Sequence, residues 1–144
     1  MRHEQTIVYQ RSLWLMATAQ RAIEQFPKGL AFLGDQLRRN TSSVHQNFAE
    51  GYYQDSRAQQ RRFFGYAIQS AREASASFDA ALAFRAADEA TVAQGKTLAL
   101  EIVRMLSKFS VPERRQRATE LAAMPADPEG SELDRVRSRR GAPR

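Results

Sequence analysis

The sequence has no cysteine among its 144 residues, which excludes disulfides, thiolate metal ligands and cysteine nucleophiles. It also lacks an apolar run near the roughly 20 residues that a membrane-spanning helix needs. No stretch shows the alternation of apolar and polar residues that is typical of strands. The N-terminus leads into an amphipathic stretch and not into the apolar core of a signal peptide. We therefore expect an all-α, cytoplasmic protein with no membrane partner.

Residues that support catalysis are also scarce. There are two histidines, His3 near the N-terminus and His45, and no Glu-x-x-His pair of the kind that builds a di-iron bundle. The seven glycines are scattered and form no phosphate-cradling loop. Ser42 and Ser43 have no evident base, and His45 lies five residues from Glu50, a spacing that does not share one helix face. We therefore predict no enzymatic activity, no metal and no cofactor, and interpret His45 as structural.

Positive charge is in excess, with a formal net charge of +6 and a pI of about 10.3. Residues 1–112 carry 14 basic and 10 acidic side chains, and residues 113–144 carry 8 and 6, so both parts are basic. Most of the basic residues are arginine, which suits bidentate contacts to phosphate. This favours a polyanionic partner, nucleic acid before membrane. A GC-rich gene would give the same excess of arginine and alanine, and both explanations stay open.

Apolar residues recur every three or four positions along four segments, which predicts four amphipathic helices. Proline, glycine and capping residues separate them, and the short connections predict an antiparallel up-down-up-down four-helix bundle. We expect Gly51 to end the second helix in a left-handed conformation, and Asp55 or Ser56 to cap the third. The predicted helices are Glu4–Phe26, Leu30–Glu50, Arg57–Ala86 and a fourth from Asp88 or Glu89 to Phe109.

The inward stripes follow from the same periodicity. The second helix has a stripe of Leu30, Leu33, Leu37, Val44 and Phe48, with Thr41 filling the gap. The stripe of the first helix is Val8, Ser12, Leu15, Ala19, Ala22 or Ile23, and Phe26. The stripe of the third helix is Phe64, Ala67 or Ile68, Ala71, Ala74 or Ser75, Phe78 and Leu82. The stripe of the fourth helix is Val92, Leu98 or Ala99, Ile102, Met105 or Leu106, and Phe109. Residues 1–111 form the predicted bundle domain. Residues 112–144 form a predicted short helix, through Met124, followed by a mostly disordered basic tail.

The second helix carries unusual polar residues beside its stripe. Arg38 and Arg39 flank Leu37, and Glu50 lies in the last turn, where a carboxylate opposes the helix dipole. We expect a basic residue of the third helix or of a neighbouring subunit to hold Glu50. A structural role in setting helix register is favoured over ligand binding.

Two surfaces are candidates for partner binding. Arg57, Arg61 and Arg62 lie near the start of the third helix, close to Tyr52, Tyr53 and Phe63. Arginine beside aromatic rings is the composition that holds single-stranded nucleic acid by phosphate contact and base stacking, although a solvated helix face has the same composition. Trp14 lies off the first helix's stripe. It is a candidate for subunit packing, or it laps over the edge of its own core.

The stretch Gln36–Gly51 resembles the signature of the four-helix-bundle proteins encoded in intervening sequences of bacterial large-subunit ribosomal RNA genes. The likeness covers about Val8 to Phe109, with Phe26-Pro27 before the motif and Arg62-Phe63 after it. Val44 and Phe48 keep apolar positions of the signature. Nine positions match it directly: Gln36, Leu37, Arg38, Arg39, Ser43, Asn47, Ala49, Glu50 and Gly51.

The resemblance implies a bundle that assembles as a homo-oligomer, in relatives a ring of five subunits. A related branch, the accessory proteins of diversity-generating retroelements, forms a basic ring that binds nucleic acid and a reverse transcriptase. The leading hypothesis is therefore a non-enzymatic oligomer that binds RNA or single-stranded DNA. The alternative is a protein-docking adaptor, for example for a reverse transcriptase, that uses Trp14, Tyr52 and Tyr53. The predicted nucleic-acid-binding residues are Arg38, Arg39, Arg57, Arg61 and Arg62, and the signature or structural residues are Leu37, Asn47, Glu50 and Gly51.

Overall fold

The structure, a computed structural model, describes residues 4, 6–110 and 122 and contains no strand among them. Each helix packs against the next in sequence, and the fourth returns to the first, so that the four surround one core. The start of the second helix meets the end of the third, where the rings of Phe32 and Phe84 lie 6.1 Å apart. The predicted antiparallel all-α bundle is confirmed. Its helices are α1 (Ile7–Glu24), α2 (Ala31–Tyr52), α3 (Arg57–Ala83) and α4 (Glu89–Ser110).

Side-chain caps define where three of the helices begin. The Thr6 hydroxyl accepts a hydrogen bond from the Tyr9 amide at 3.2 Å, so α1 starts three residues after the predicted Glu4. Ser56 is the predicted cap of α3, and its hydroxyl accepts from the Gln59 amide at 3.1 Å. The Asp88 carboxylate accepts from the Thr91 amide at 2.8 Å at the start of α4. Each cap satisfies an amide that the helix itself leaves unbonded.

Each helix ends one to three residues from its predicted last residue, and the ends of α2 and α3 show why. Gly51 does not end α2: the helix continues to Tyr52, and Gly51 does not have a positive φ. In contrast, α3 ends at Ala83, before the predicted Ala86, because Arg85 adopts φ 53°. There the Ala86 amide donates to the Ala81 carbonyl at 2.8 Å, and the Arg85 amide to Leu82 at 2.9 Å. This pair of bonds closes a helix end through a left-handed residue.

The core contains the predicted stripe of α2 almost whole. Leu33, Leu37, Thr41, Val44 and Phe48 are all buried, and Leu30 is partly buried. The hydroxyl of Thr41 donates to the Leu37 carbonyl at 2.7 Å, so its burial leaves no donor unsatisfied.

Two predicted core residues are exposed. Leu82 is 39% exposed and Phe109 58% exposed. Ala81 is buried where Leu82 was expected, because the stripe of α3 advances three residues from Phe78 and not four. Phe109 packs against the Phe64 ring in an edge-on arrangement, with ring centroids 5.9 Å apart.

Two glycines allow α3 to lie close to its neighbours. A Cβ placed on Gly51 of α2 would lie 2.8 Å from the Phe64 ring, and one on Gly95 of α4 would lie 2.3 Å from the Phe78 ring. Each phenylalanine ring thus occupies the space of a missing side chain. Gly95 is therefore a point of close contact between α3 and α4, and Gly51 has this packing role in place of the predicted terminating one.

The four helices belong to one unit, Met1–Val111, and a second unit comprises Pro112–Arg144. The short helix and basic tail predicted for residues 112–144 lie outside the described residues, apart from Ala122, so that part of the domain assignment stays a prediction. Within the described part of the chain, no helix combines the length and apolar character that a membrane crossing requires.

Candidate nucleic-acid interface

The start of α3 carries three arginines and no acidic residue in its first turn. Arg57 and Arg61 are four residues apart and share a helix face, with Arg57 exposed and Arg61 partly exposed. Arg62 is exposed and lies about 100° further around the helix. A helix N-terminus already carries a partial positive charge, so these cations add to the local potential and do not cancel it.

Arg62 is held against an aromatic ring. Its Nε–H donates to the Tyr66 hydroxyl at 2.8 Å, and its guanidinium carbon lies 5.8 Å from the ring centroid. The hydrogen bond to Tyr66 raises the pKa of Arg62 above its usual value. Tyr66 itself is 42% exposed, and its ring packs edge-on against Phe63 at 6.0 Å. The result is an arginine and a ring presented together to solvent.

The end of α2 adds a second exposed ring on the same end of the bundle. Tyr53 is 62% exposed and lies edge-on to Tyr52, with ring centroids 5.4 Å apart. Tyr52 is partly buried and packs on Phe48 at 6.0 Å. The arginines at the start of α3 and the tyrosines at the end of α2 therefore lie at the same end of the bundle, and a shared binding surface stays a prediction.

Arg38 and Arg39 are placed elsewhere. Two nitrogens of Arg38 lie 3.4 Å from the Gln20 side-chain oxygen on α1, and a third lies 3.9 Å from Asp35. Arg39 is exposed. About 20 Å of α2 separates Arg39 from Tyr52, at 1.5 Å per residue. The five predicted nucleic-acid-binding arginines thus form two separate groups.

Glu50 does not have the partner that was expected. It is exposed, and its carboxylate accepts a hydrogen bond from Gln54 at 3.1 Å. Among the described residues of this chain it pairs with no arginine of α3, so the prediction of such a partner is wrong. A partner in a neighbouring subunit stays a prediction.

Other signature residues build a polar contact between α2 and α3. Asn47 donates to the Ser43 carbonyl at 2.9 Å and to its hydroxyl at 3.0 Å. The Ser43 hydroxyl lies 2.8 Å from that of Ser70 on α3, and Asn40 donates to Ser77 at 3.4 Å. Partly buried polar groups lose free energy when they have no hydrogen-bond partner, so hydrogen bonds between α2 and α3 favour the one register in which they form. These contacts support a structural role for Asn47.

Sequence reasoning missed a contact between Ser12 and His45. Ser12 is fully buried, and its hydroxyl lies 2.7 Å from the Tyr9 carbonyl and 2.8 Å from His45 Nδ1. A carbonyl only accepts, so the single hydroxyl hydrogen goes to Tyr9 and His45 donates from Nδ1. In a serine nucleophile activated by a histidine base, the serine hydroxyl donates its hydrogen to the histidine. Here the hydrogen bond runs in the opposite direction. The sequence did contain a signal for this contact: Ser12 lies in the apolar stripe of α1, where a buried polar group needs a hydrogen-bond partner.

Trp14 lies on the outer face of α1 beside α4 and is 53% exposed. The Arg11 guanidinium lies 4.8 Å from the Trp14 ring centroid. Arg11 Nε in turn lies 2.9 Å from the Glu101 carboxylate of α4, an ion pair that is not aligned as a hydrogen bond. Trp14 also lines a cavity of about 340 Å³ with Arg21 and Gln94. The ring is thus packed on Arg11 on one side and accessible elsewhere.

No group of three histidine, aspartate or glutamate side chains is placed to hold a metal ion in the part of the chain that the structure describes. No curated protein matches the chain. The model of one family, 23S rRNA-intervening sequence protein, matches residues 4–108 and so covers nearly all of the four helices. The chain therefore belongs to the 23S rRNA-intervening sequence protein family.

Proposed function

We propose that the protein is a non-enzymatic, homo-oligomeric bundle that binds RNA or single-stranded DNA in the cytoplasm. The observation that carries this proposal is the group formed by Arg57, Arg61 and Arg62 at the start of α3, next to exposed Tyr53 and Tyr66. The arginines supply phosphate contacts, and the tyrosines supply rings on which bases stack. Arg38 and Arg39 are more distant phosphate contacts in this proposal.

The electrostatics of α3 support an anionic partner. A cation in the first turn of a helix, such as Arg57 in α3, opposes the helix dipole. Among the described residues, Glu50 near the end of α2 bonds to Gln54 and to no arginine of α3. A bound phosphate would turn this unfavourable arrangement into a favourable one. The family description associates its members with an intervening sequence of 23S rRNA, and an RNA partner agrees with it.

The surroundings of Ser12 and His45 support a protein without catalytic chemistry. Ser12 is inaccessible to a substrate, and its hydroxyl hydrogen is directed at a backbone carbonyl. His45 acts as a donor toward it. We therefore include the absence of enzymatic activity in the proposal.

The test is a titration of the full-length protein with fluorescent single-stranded RNA at about 50 and 200 mM salt. Wild type should bind with a steep salt dependence. The variant Arg57→Gln/Arg61→Gln/Arg62→Gln should bind at least tenfold more weakly at low salt. Its plot of log K against log salt concentration should be less steep by about 2, because each of the three lost phosphate contacts on a single strand contributes about 0.7 to the slope.

A charge-matched control separates a local site from net charge. Arg72, Arg85 and Arg104 are also exposed, and replacing all three with glutamine removes the same charge elsewhere on the bundle. This control should retain most of the wild-type affinity. Equal losses in both triple variants would show that the arginines of α3 form no specific site. No binding by wild type at low salt would reject the nucleic-acid function.

The second candidate is a protein-docking adaptor, for example for a reverse transcriptase, and the exposure of Trp14 favours it. Rigid, half-exposed tryptophans are typical anchors of protein interfaces. Such binding should change little between the two salt concentrations and should be lost in Trp14→Ala. The α3 triple variant should leave it unchanged, which distinguishes it from RNA binding.

A further inference from the structure

An apolar cavity lies at the end of the bundle where α1 and α3 begin and α2 and α4 end. Its volume is about 490 Å³, within the range of small-molecule sites. Each helix contributes an apolar side chain to its wall: Val8, Phe48, Phe64 and Met105. The cavity thus depends on the packing of all four helices and is a property of the bundle itself.

The aromatic wall of this cavity is closely packed. The Phe48 and Phe64 rings are stacked 5.6 Å apart at 13°, and both are almost fully buried. A Cβ on Gly51 would lie 2.8 Å from the Phe64 ring, so the backbone of α2 approaches that ring closely. Water in such an apolar concavity finds few polar partners, so its displacement by an apolar ligand is favourable.

The rim of the cavity is polar and positive. Lys108 is the charged side chain among the described residues that line it, and it is exposed, while Gln60 adds a partly buried amide. An apolar interior with one cation at its edge is complementary to a molecule with an apolar body and an anionic end. A cationic or a fully polar ligand would match only one of these two parts.

We propose that this cavity binds a single-chain carboxylate amphiphile. The chain lies against Phe48 and Phe64, and the carboxylate faces Lys108. A roughly 150 Å³ cavity holds one six-carbon benzene ring, so a chain of ten to twelve carbons takes up about 250–300 Å³ and leaves the rest of the space to the carboxylate and to water at the rim. This site is independent of the proposed nucleic-acid function, which uses the arginines of α3.

The first experiment is a calorimetric titration of the full-length protein with saturated carboxylates of about six to sixteen carbons, each below its micelle concentration. Affinity should rise about fourfold for each buried methylene. The rise should stop at about ten to twelve carbons, when the chain has covered the apolar wall of the cavity. A rise that continues through sixteen carbons would indicate adsorption to the surface and would overturn the proposal, as would no binding at any length.

Variants at the rim test the two parts of the ligand separately. Lys108→Gln should weaken decanoate binding about two- to fivefold, the range expected for an exposed ion pair, and leave decanol binding unchanged. Gln60→Trp fills the cavity and should weaken both ligands at least tenfold. Arg104→Gln, one turn earlier on α4 and outside the lining, is the matched control and should change neither.

Equal effects of Lys108→Gln and Arg104→Gln on decanoate would overturn the role of Lys108 and with it the anionic ligand. Thermal melts of each variant check that the fold is retained. If wild type binds no amphiphile and Gln60→Trp lowers the molar mass in solution, a second copy covers the cavity and the proposal is wrong.

Discussion

Gly51 and Gly65 are both helical glycines, but their surroundings are opposite. A Cβ on Gly51 would lie 2.8 Å from the buried Phe64 ring, whereas a Cβ on Gly65 would have nothing within 4 Å. Gly51→Ala should therefore destabilise the protein by about 1–3 kcal/mol, as overpacking does. Gly65→Ala should stabilise it by about 0.5–1 kcal/mol, because alanine loses less backbone entropy in a helix.

Urea unfolding of the two variants, followed by circular dichroism, measures this difference. Gly65→Ala is the matched control, since it makes the same chemical change on the adjacent helix. If both substitutions stabilised the protein, Gly51 would have room for a methyl group and the close approach of Phe64 would be wrong.

Ser12 shows how one buried hydroxyl constrains a distant residue. Because its hydrogen is used by the Tyr9 carbonyl, it can only accept from His45, 33 residues away on α2. The Tyr9 ring packs on the imidazole at 4.6 Å and 50°, which adds an apolar contact to the polar one. His45 is thus part of the α1–α2 interface, which agrees with the structural interpretation made from its sequence.

At the scale of the element, the end of α3 carries backbone strain. Arg85 has φ 53°, a conformation that costs a residue with a Cβ about 1–2 kcal/mol and that glycine adopts readily. Arg85→Gly should stabilise the protein by about 1 kcal/mol, whereas Arg85→Ala, which keeps the Cβ, should have little effect. Denaturant midpoints of the two variants test this. If Arg85→Gly were no more stable than Arg85→Ala, the left-handed conformation of Arg85 would be wrong.

The start of α4 is sensitive to pH through Asp88. Hydrogen bonds from the Thr91 amide and then the Thr91 hydroxyl lower the pKa of Asp88 below its ordinary value of 3.8. In the unfolded chain that carboxyl regains its ordinary pKa. Its contribution to stability is therefore present above pH 3.8 and is lost as the pH falls through the lower, folded pKa.

Asp88→Asn should lower stability at neutral pH and make stability fall less steeply with acid. Urea midpoints measured from neutral pH down to about pH 3 test this. Asp55→Asn is the control, because Asp55 is exposed and makes no hydrogen bond among the described residues. An identical acid dependence in wild type and Asp88→Asn would show that the cap does not act through its charge.

At the scale of the whole molecule, the proposed homo-oligomer predicts an effect of Trp14. Truncating a central interface tryptophan typically costs 2 kcal/mol or more, so Trp14→Ala should weaken association about thirtyfold or more. Light scattering across a dilution series measures this. Phe84→Ala is the control, since Phe84 is similarly exposed at the end of α3. A monomeric wild type, or equal effects of both substitutions, would exclude assembly through Trp14.

The sequence by itself determined the number, order and type of the helices. Their apolar periodicity and their caps, such as Ser56 and Asp88, depend on residues within one or two turns, and this local chemistry is the same in any context. The Leu37–Gly51 motif also identified the family. The cluster of arginines and tyrosines at the start of α3 was predictable for a similar reason, because its members are neighbours in the chain.

Only the tertiary structure decided which residues meet across helices. Whether Gly51 ends a helix or makes room for a ring depends on Phe64, and the contact between Ser12 and His45 depends on the register of α1 against α2. The exposure of Leu82 and the partner of Glu50 were settled in the same way. Periodicity gives the inward face of a helix but not the axial position of the helix packed against it. That position results from close packing of the whole bundle.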